Sequence, residues 1–183
     1  MIRYKLFSKQ LLLSSAFLLL FVSCQEDAVE NEIDLSDEDM IAAIQLADEY
    51  LSASKGRANS EKAVTVLKFI KDKLFYATTT DGVTSYTEVT QETITASSVP
   101  GGYVFWYSGG GVSDLAGIEF DKESQLKLVE APEEIKADKM WVISIPEEFD
   151  EEEGMLKYDI IYNFKGNNGL PIRLDPKIKI GSE

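Results

Sequence analysis

Strict alternation of apolar and mostly polar residues marks the segment 156–164 and constrains the fold more than any other feature of the sequence. The apolar positions are Leu156, Tyr158, Ile160, Tyr162 and Phe164. Because successive side chains of a β-strand point to opposite faces, this period of two predicts a strand with one face in a core. A further run follows the turn residues KGNNG, and Pro176 interrupts it, which is typical of an edge strand or a bulge.

Short apolar runs separated by turn residues continue this pattern from residue 63 to the end of the chain. The turn signals are Asp81-Gly82, Pro100-Gly101-Gly102, Gly109 to Gly111 and Asn168-Gly169. Many short strands at this spacing are typical of a sandwich or a barrel. The sequence therefore predicts a mainly β fold, a Greek-key β-sandwich over residues 63–183, with no internal repeat.

The segment before the predicted sandwich has helical periodicity. Ser36 precedes three acidic residues, as an N-cap does, and a helix is predicted from about Asp37 to Ala53. Its apolar face contains Met40, Ile44, Ala47 and Leu51. We expect residues 36–62 to form this one short helix and a loop, with the helix packed on the β domain that follows.

The N-terminal 23 residues have the three-part pattern of a secretory signal peptide. Arg3, Lys5 and Lys9 precede an apolar stretch from residue 11 to 22, and the small residue Ser23 follows it. The stretch has about a dozen residues, whereas a helix needs roughly 20 to span a bilayer. Residues 1–23 are therefore predicted to be cleaved.

Cys24, the only cysteine, comes directly after this segment. The residues LFVSC resemble the lipobox of bacterial lipoproteins, although Phe21 stands where that family usually has Leu, Val or Ile. The resemblance implies a thioether lipid and acyl chains such as palmitate on Cys24, which would anchor the protein stably in a membrane. The alternative is an ordinary secreted protein with a spare thiol.

Acidic residues dominate the chain after Cys24. The full chain has 32 acidic and 18 basic residues, a net charge of −14, and cleavage after residue 23 would remove three basic residues and leave −17. This charge argues against nucleic acid as a partner. Residues 24–35 are predicted to form an acidic tether. Gln25, Glu26 and Asp27 resemble the export signal of surface lipoproteins of the Bacteroidota, which implies a surface-exposed, lipid-anchored protein of the outer membrane.

The order of the runs GGYVFWYSGGG, KMWVISIP, LKYDIIYNFKG and RLDPKIKI resembles that of small Greek-key sandwiches of the cupredoxin or immunoglobulin type, over roughly residues 63–181. Copper-carrying cupredoxins hold their metal on histidines and a cysteine. This chain has no histidine, and its one cysteine lies in the tether, so we expect no copper, no zinc and no cofactor.

Three other motifs suggest a functional site, but each also has a simpler explanation. The S-x-x-K matches at Ser52 and Ser124 suggest a serine-lysine nucleophile, but no K-T-G accompanies them and chance explains both. Gly109, Gly110 and Gly111 suggest an anion-binding loop, although a glycine-rich turn explains them better. The acidic residues of 147–153 suggest a calcium site, but a solvated loop is the more usual explanation.

The aromatic run YVFWY is apolar on both faces of its predicted strand. Tyr103, Phe105 and Tyr107 alternate with Val104 and Trp106, so one face needs a cover unless it is exposed. Core packing is the ordinary interpretation. If one residue is exposed, Trp106 beside the glycine loop is the candidate, and it would form a binding surface with Tyr107 and Gly109 to Gly111.

A second tryptophan has a simpler context. Trp141 shares a strand face with Ile143 and Ile145, and the strand ends at a proline, as a core strand would. We therefore predict that Trp141 belongs to the core of the sandwich.

The sequence favours a non-enzymatic surface lipoprotein whose sandwich binds an envelope protein or a glycan, or serves as an accessory subunit. The second hypothesis is a polysaccharide hydrolase at the cell surface that uses two carboxylates. With 32 acidic residues, the sequence nominates no particular pair. A domain that coats the cell without a specific ligand is the third.

Overall fold

A computed structural model of the protein describes residues 37–53, 57, 60–79, 86–149 and 154–181. The predicted signal segment, Cys24, the tether and Ser36 lie outside the described residues. The described chain contains two helices and eleven strands that form two sheets. In these segments, neither helix is long and apolar enough to cross a membrane.

The first sheet contains six strands in the order β3-β2-β1-β5-β8-β7. Their bounds are β1 Lys62–Ile70, β2 Lys73–Thr78, β3 Thr87–Glu88, β5 Tyr103–Ser108, β7 Glu133–Lys136 and β8 Met140–Ser144. The central pair, β1 and β5, is parallel, and the other neighbours are antiparallel.

The second sheet is built around the long strand β9. Its bounds are β4 Ile94–Ser98, β6 Val112–Phe120, β9 Met155–Phe164, β10 Ile172–Leu174 and β11 Lys177–Ile180. Strand β6 pairs along one edge of β9, and β10 and β11 follow each other along the other edge. Pro176 lies between β10 and β11, so the predicted interruption of this run is confirmed.

The main core lies between the two sheets. Its largest contributors, all nearly or fully buried, are Leu67, Val104, Trp106, Leu115, Ile143, Leu156, Tyr158, Ile160 and Ile178. The alternating residues of β9 supply one wall, as the period of two predicted, although Phe164 at its end is only half-buried. The predicted mainly β sandwich preceded by one helix is confirmed.

Helix α1 (Glu38–Ala53) covers the outer face of the first sheet. Its buried residues are Met40, Ala43, Ala47 and Leu51, whereas Ile44 of the predicted apolar face is only half-buried. The buried residues of α1 pack on Val64 and Val66 of β1 and on Phe105 of β5. The predicted packing of the helix on the β domain is confirmed, and the helix is the cover that the second apolar face of β5 requires.

Three features of the fold add to the prediction. Asp37 occupies the capping position of α1, because its Oδ1 accepts a hydrogen bond of 3.0 Å from the Asp39 N–H, whereas Ser36, the predicted cap, lies outside the described residues. A second helix, α2 (Lys122–Lys127), lies within the sandwich sequence and is capped by Asp121, whose Oδ1 accepts from the Ser124 N–H at 2.7 Å. Strands β4 and β11 also pair in parallel, so the sandwich is mixed rather than purely antiparallel.

Candidate functional site

Trp106 is fully buried, so core packing, the ordinary interpretation of this run, holds for it, and the alternative that it forms an exposed binding surface is wrong. Its Nε1–H donates to the hydroxyl of Tyr158 at 3.0 Å, and that hydroxyl also hydrogen-bonds with Thr95. The sequence shows that both faces of β5 are apolar, but not which one the second sheet covers. Trp106 faces the second sheet, and α1 covers the Phe105 face.

Tyr107 lies on the opposite side of β5 from Trp106 and is half-buried beside α1. Burial, together with the nearby Asp39 carboxylate, raises the pKa of the Tyr107 phenol. The Lys139 ammonium lies 6.0 Å from the centre of its ring. The structure therefore does not bring Trp106 and Tyr107 to one surface.

The glycine loop after β5 has a structural role in the described protein. Gly111 has φ of +80°, and a Cβ there would lie 2.3 Å from the Phe69 carbonyl oxygen. The Gly110 N–H donates to Asp39 Oδ2 at 2.9 Å. The anionic group that binds this loop is therefore the Asp39 carboxylate of helix α1. The positive φ of Gly111 agrees with the interpretation of the loop as a glycine-rich turn.

A charged cluster fixes the start of α1 to the first sheet. The Lys68 ammonium contacts the carboxylates of Asp37 and Asp39, and the Tyr86 hydroxyl donates to Asp37 at 2.9 Å. Partial burial acts to raise the pKa of Asp37, but hydrogen bonds from Lys68 and Tyr86 outweigh it and hold that pKa below its usual range. Burial acts to lower the pKa of Lys68, but its side-chain contacts with Asp37, Tyr86 and Asp39 raise that pKa overall.

A second set of contacts fixes the other end of α1. Lys62 at the start of β1 pairs with Asp48, and the Tyr50 hydroxyl donates to Glu133 Oε2 at 2.9 Å. Burial, and then this carboxylate, raise the pKa of Tyr50 to about 12. The helix therefore runs antiparallel to β1 and is fixed at both ends.

The serine of the second S-x-x-K match serves the fold. Ser124 is buried in α2, and its Oγ accepts a hydrogen bond of 2.8 Å from the Lys157 N–H of β9. Its hydroxyl therefore connects α2 to β9. The partner of the first match, Lys55, lies outside the described residues.

The acidic stretch 147–153 is described only as far as residue 149. Glu147 and Glu148 are exposed, and Phe149 is buried against the main core. Among the residues with described positions, no group of three or more carboxylate or cysteine side chains is placed to hold a metal ion. The proposed calcium site therefore gains no support from the described portion, and residues 150–153 lie outside it.

A cleft of about 380 Å³ opens at one end of the sandwich. Its charged lining is Arg57, Glu130 and Glu147. Its remaining lining is Ser60, Gly101, Tyr103, Val129, Ser144, Ile145 and Pro146. The volume lies in the range of sites that bind small molecules or a few residues of a peptide.

Backbone contacts hold the floor of the cleft. The Gly101 N–H donates to the Ile145 carbonyl oxygen at 3.1 Å, and the Ile145 N–H donates to the Gly102 carbonyl oxygen at 2.9 Å. Gly101 has φ of +77°, and Cγ of Glu147 would lie 3.3 Å from a Cβ at that position. The turn before β5 and the end of β8 thus form one surface, with Glu147 lying against it.

One wall of the cleft is a cation stacked on an aromatic ring. The guanidinium carbon of Arg57 lies 5.5 Å from the centre of the Tyr103 ring, within the range of a cation–π contact. The opposite rim contains Val129, which is 82% exposed, and the exposed Glu130. The sequence predicted none of these four as site residues, because they come from three separate segments that only the fold brings together.

A smaller cavity of about 140 Å³ lies beside the start of β9. Four of its lining residues are acidic, namely Glu119, Asp121, Asp159 and Asp175. Arg173 pairs with Glu119 and Asp159 at 2.7 and 2.8 Å, and Asp121 caps α2. Three of these carboxylates therefore have structural partners, and the larger cleft is the better candidate site.

The chain matches no protein-family model, and no curated protein is similar to it in sequence.

Proposed function

We propose that this protein is a non-enzymatic, lipid-anchored lipoprotein of the outer-membrane surface, whose sandwich binds a ligand in the cleft between Arg57 and Glu130. The lipobox-like residues before Cys24 support the anchor, and the acidic residues after it support the outward orientation. An open cleft with both charged and apolar lining supports binding.

The position of the cleft relative to the tether carries this proposal. The tether enters at Asp37, which contacts Lys68 near the end of β1. The cleft lies at the opposite end, where Tyr103 begins β5 and Ser144 ends β8. Because α1 has 16 residues and each adds about 1.5 Å, the two ends are separated by roughly 24 Å. A protein held at Asp37 would present its cleft away from the membrane.

The hydrolase remains the second candidate, because two carboxylates, Glu130 and Glu147, line this one cleft. A glycosidase needs such a pair on either side of the scissile bond. Turnover of a surface polysaccharide by the purified protein, lost in Glu147→Gln, would favour it. We expect no turnover in either protein.

Site-specific photocrosslinking in living cells tests the binding module. A photoreactive amino acid at Val129 would lie on the cleft rim, and one at Ile41, which is 42% exposed on α1, is the matched control. We expect Val129 to give a discrete adduct that Ile41 does not, and Cys24→Ser to abolish it by releasing the protein. Identical adduct patterns at the two positions, or none at either, would contradict the proposal.

A further inference from the structure

The charge of the cleft is unbalanced toward the negative. Glu130 and Glu147 line it, and Glu61 and Glu148 are adjacent in sequence to lining residues and exposed. Among the described residues that line the cleft, Arg57 is the one basic residue, and its guanidinium lies over the Tyr103 ring. An approaching ligand therefore meets an excess of carboxylate, which attracts cations and repels anions.

The rim adds an apolar component next to that charge. Val129 lines the cleft, is 82% exposed and directly precedes Glu130. Exposed apolar side chains beside charged ones are typical of surfaces that contact other proteins. Hydroxyls of Ser60 and Ser144 add groups that can hydrogen-bond to a peptide backbone.

Building on the proposed function, we propose that the cleft binds a basic peptide segment of a partner protein, with Lys or Arg side chains at Glu130 and Glu147 and an apolar side chain against Val129. The ligand is cationic because the cleft carries more acid than base, and it is a peptide because the rim pairs an apolar contact with that charge. The cleft volume fits a short segment rather than a folded domain, so the segment is an exposed loop or terminus.

The test uses the full-length lipidated protein in neutral-detergent micelles and the capped fluorescent peptide Gly-Lys-Val-Lys-Gly. The two control peptides replace both lysines with Glu or with Gln. We expect the lysine peptide to bind about tenfold more tightly than the Gln peptide, the Glu peptide not to bind, and rising salt to weaken binding.

Paired variants separate the site from the general charge of the protein. Glu130→Gln with Glu147→Gln removes two carboxylates from the cleft, whereas Glu38→Gln with Asp72→Asn removes two exposed carboxylates at the tether end. We expect the first pair to weaken peptide binding about tenfold and the second to change it less than twofold. Circular dichroism should show that both pairs remain folded.

Three results would overturn the inference. They are equal losses in both variant pairs, no preference for the lysine peptide, or binding of a neutral glucan oligosaccharide in place of the peptides. If the Val129 adduct nevertheless forms in cells, the binding module stands and only the ligand class is wrong. If neither the adduct nor peptide binding is seen, both proposals fail.

Discussion

At the scale of single residues, each of the two tryptophans donates its indole N–H to an acceptor inside the protein. Trp106 is fully buried, and the Tyr158 hydroxyl is the acceptor for its indole N–H. Trp141 is only half-buried against the main core, and its Nε1–H donates to the Leu115 carbonyl oxygen at 2.8 Å. Trp141 was predicted to belong to the core; it packs against the core but is not buried in it, and Trp106 is the more deeply buried of the two.

Tyr158→Phe should lower the free energy of unfolding by about 1–3 kcal/mol, because it leaves the buried Trp106 N–H without its acceptor. The matched control is Tyr162→Phe on the same strand, because no hydrogen bond from the Tyr162 hydroxyl is seen within the described segments. Urea-induced unfolding of both variants measures the difference. Equal, small changes in both would show that the Trp106–Tyr158 hydrogen bond contributes little.

Gly111→Ala should destabilise the protein by about 1–3 kcal/mol, because Gly111 has a positive φ and a Cβ would meet the Phe69 carbonyl oxygen. Gly110→Ala is the control. Its φ is not in the left-handed region, and its Cβ would meet only Asp39 Oδ2, at 3.7 Å. Thermal unfolding of the two variants compares them. A larger effect at Gly110 would contradict a turn fixed by Gly111.

Cys24→Ser should abolish lipid attachment, because the lipobox resemblance implies that the lipid is attached to the Cys24 thiol. Cells grown with a labelled fatty acid should incorporate label into the wild type and not into the variant. Gln25→Ala, which keeps the cysteine, should remain labelled. Equal label in wild type and Cys24→Ser would refute the lipoprotein proposal.

At the scale of elements, the helix explains why β5 has two apolar faces. The sequence was sufficient to predict α1, the long strand β9 and the turns between strands, because each depends on local periodicity and turn chemistry. It was not sufficient to predict which face of β5 the helix covers, or that β1 and β5 pair in parallel. Those depend on contacts between residues far apart in the chain, which is why the sequence left open whether Trp106 is buried or exposed.

Acid should loosen the start of α1 through Asp37. Its pKa is lower in the folded protein than in the unfolded chain, so its stabilising effect is present above the ordinary value near 3.8 and is lost as pH falls through the folded value. Asp37→Asn should therefore be less stable than wild type at pH 6, and the difference should shrink toward pH 2. Urea unfolding across this range measures it.

The control for this titration is Gln45→Ala, at an exposed position of α1 where neither side chain titrates. We expect any effect of this change on stability to stay constant over the same range. A stability difference for Asp37→Asn that stays constant from pH 6 to pH 2 would show that the carboxylate charge does not hold the helix.

At the scale of the whole molecule, the two ends of the sandwich contain different features. The tether end contains the Lys68 cluster and the glycine loop, and the far end contains the cleft. The sequence predicted the turn at Gly101 but not the cleft, because Arg57, Glu130 and Glu147 are brought together only by the packing of two sheets and a helix. No local pattern signals such a site.

Exposure of the protein at the cell surface is also a property of the whole molecule. In the proposed arrangement, the residues after Cys24 determine it. Twelve residues, 25–36, separate the lipid site from Asp37, and they include Glu26, Glu30 and Glu32. A glutamate-specific protease added to intact cells should therefore cut the tether and release the sandwich into the medium. Protection until the outer membrane is permeabilised would place the protein in the periplasm.

Paired charge reversals distinguish an export signal from a merely acidic tether. Glu26→Lys with Asp27→Lys changes the residues that resemble the signal, whereas Glu30→Lys with Glu32→Lys makes the same change in net charge further along. A general protease added to intact cells is the readout, because both pairs remove glutamate cleavage sites. We expect the first pair to stay lipidated but become protected, and the second to remain accessible. If both pairs become protected, net charge rather than the position of the acids after Cys24 controls exposure. If both stay accessible, these acids do not control it. In either case the resemblance to the surface-export signal is accidental.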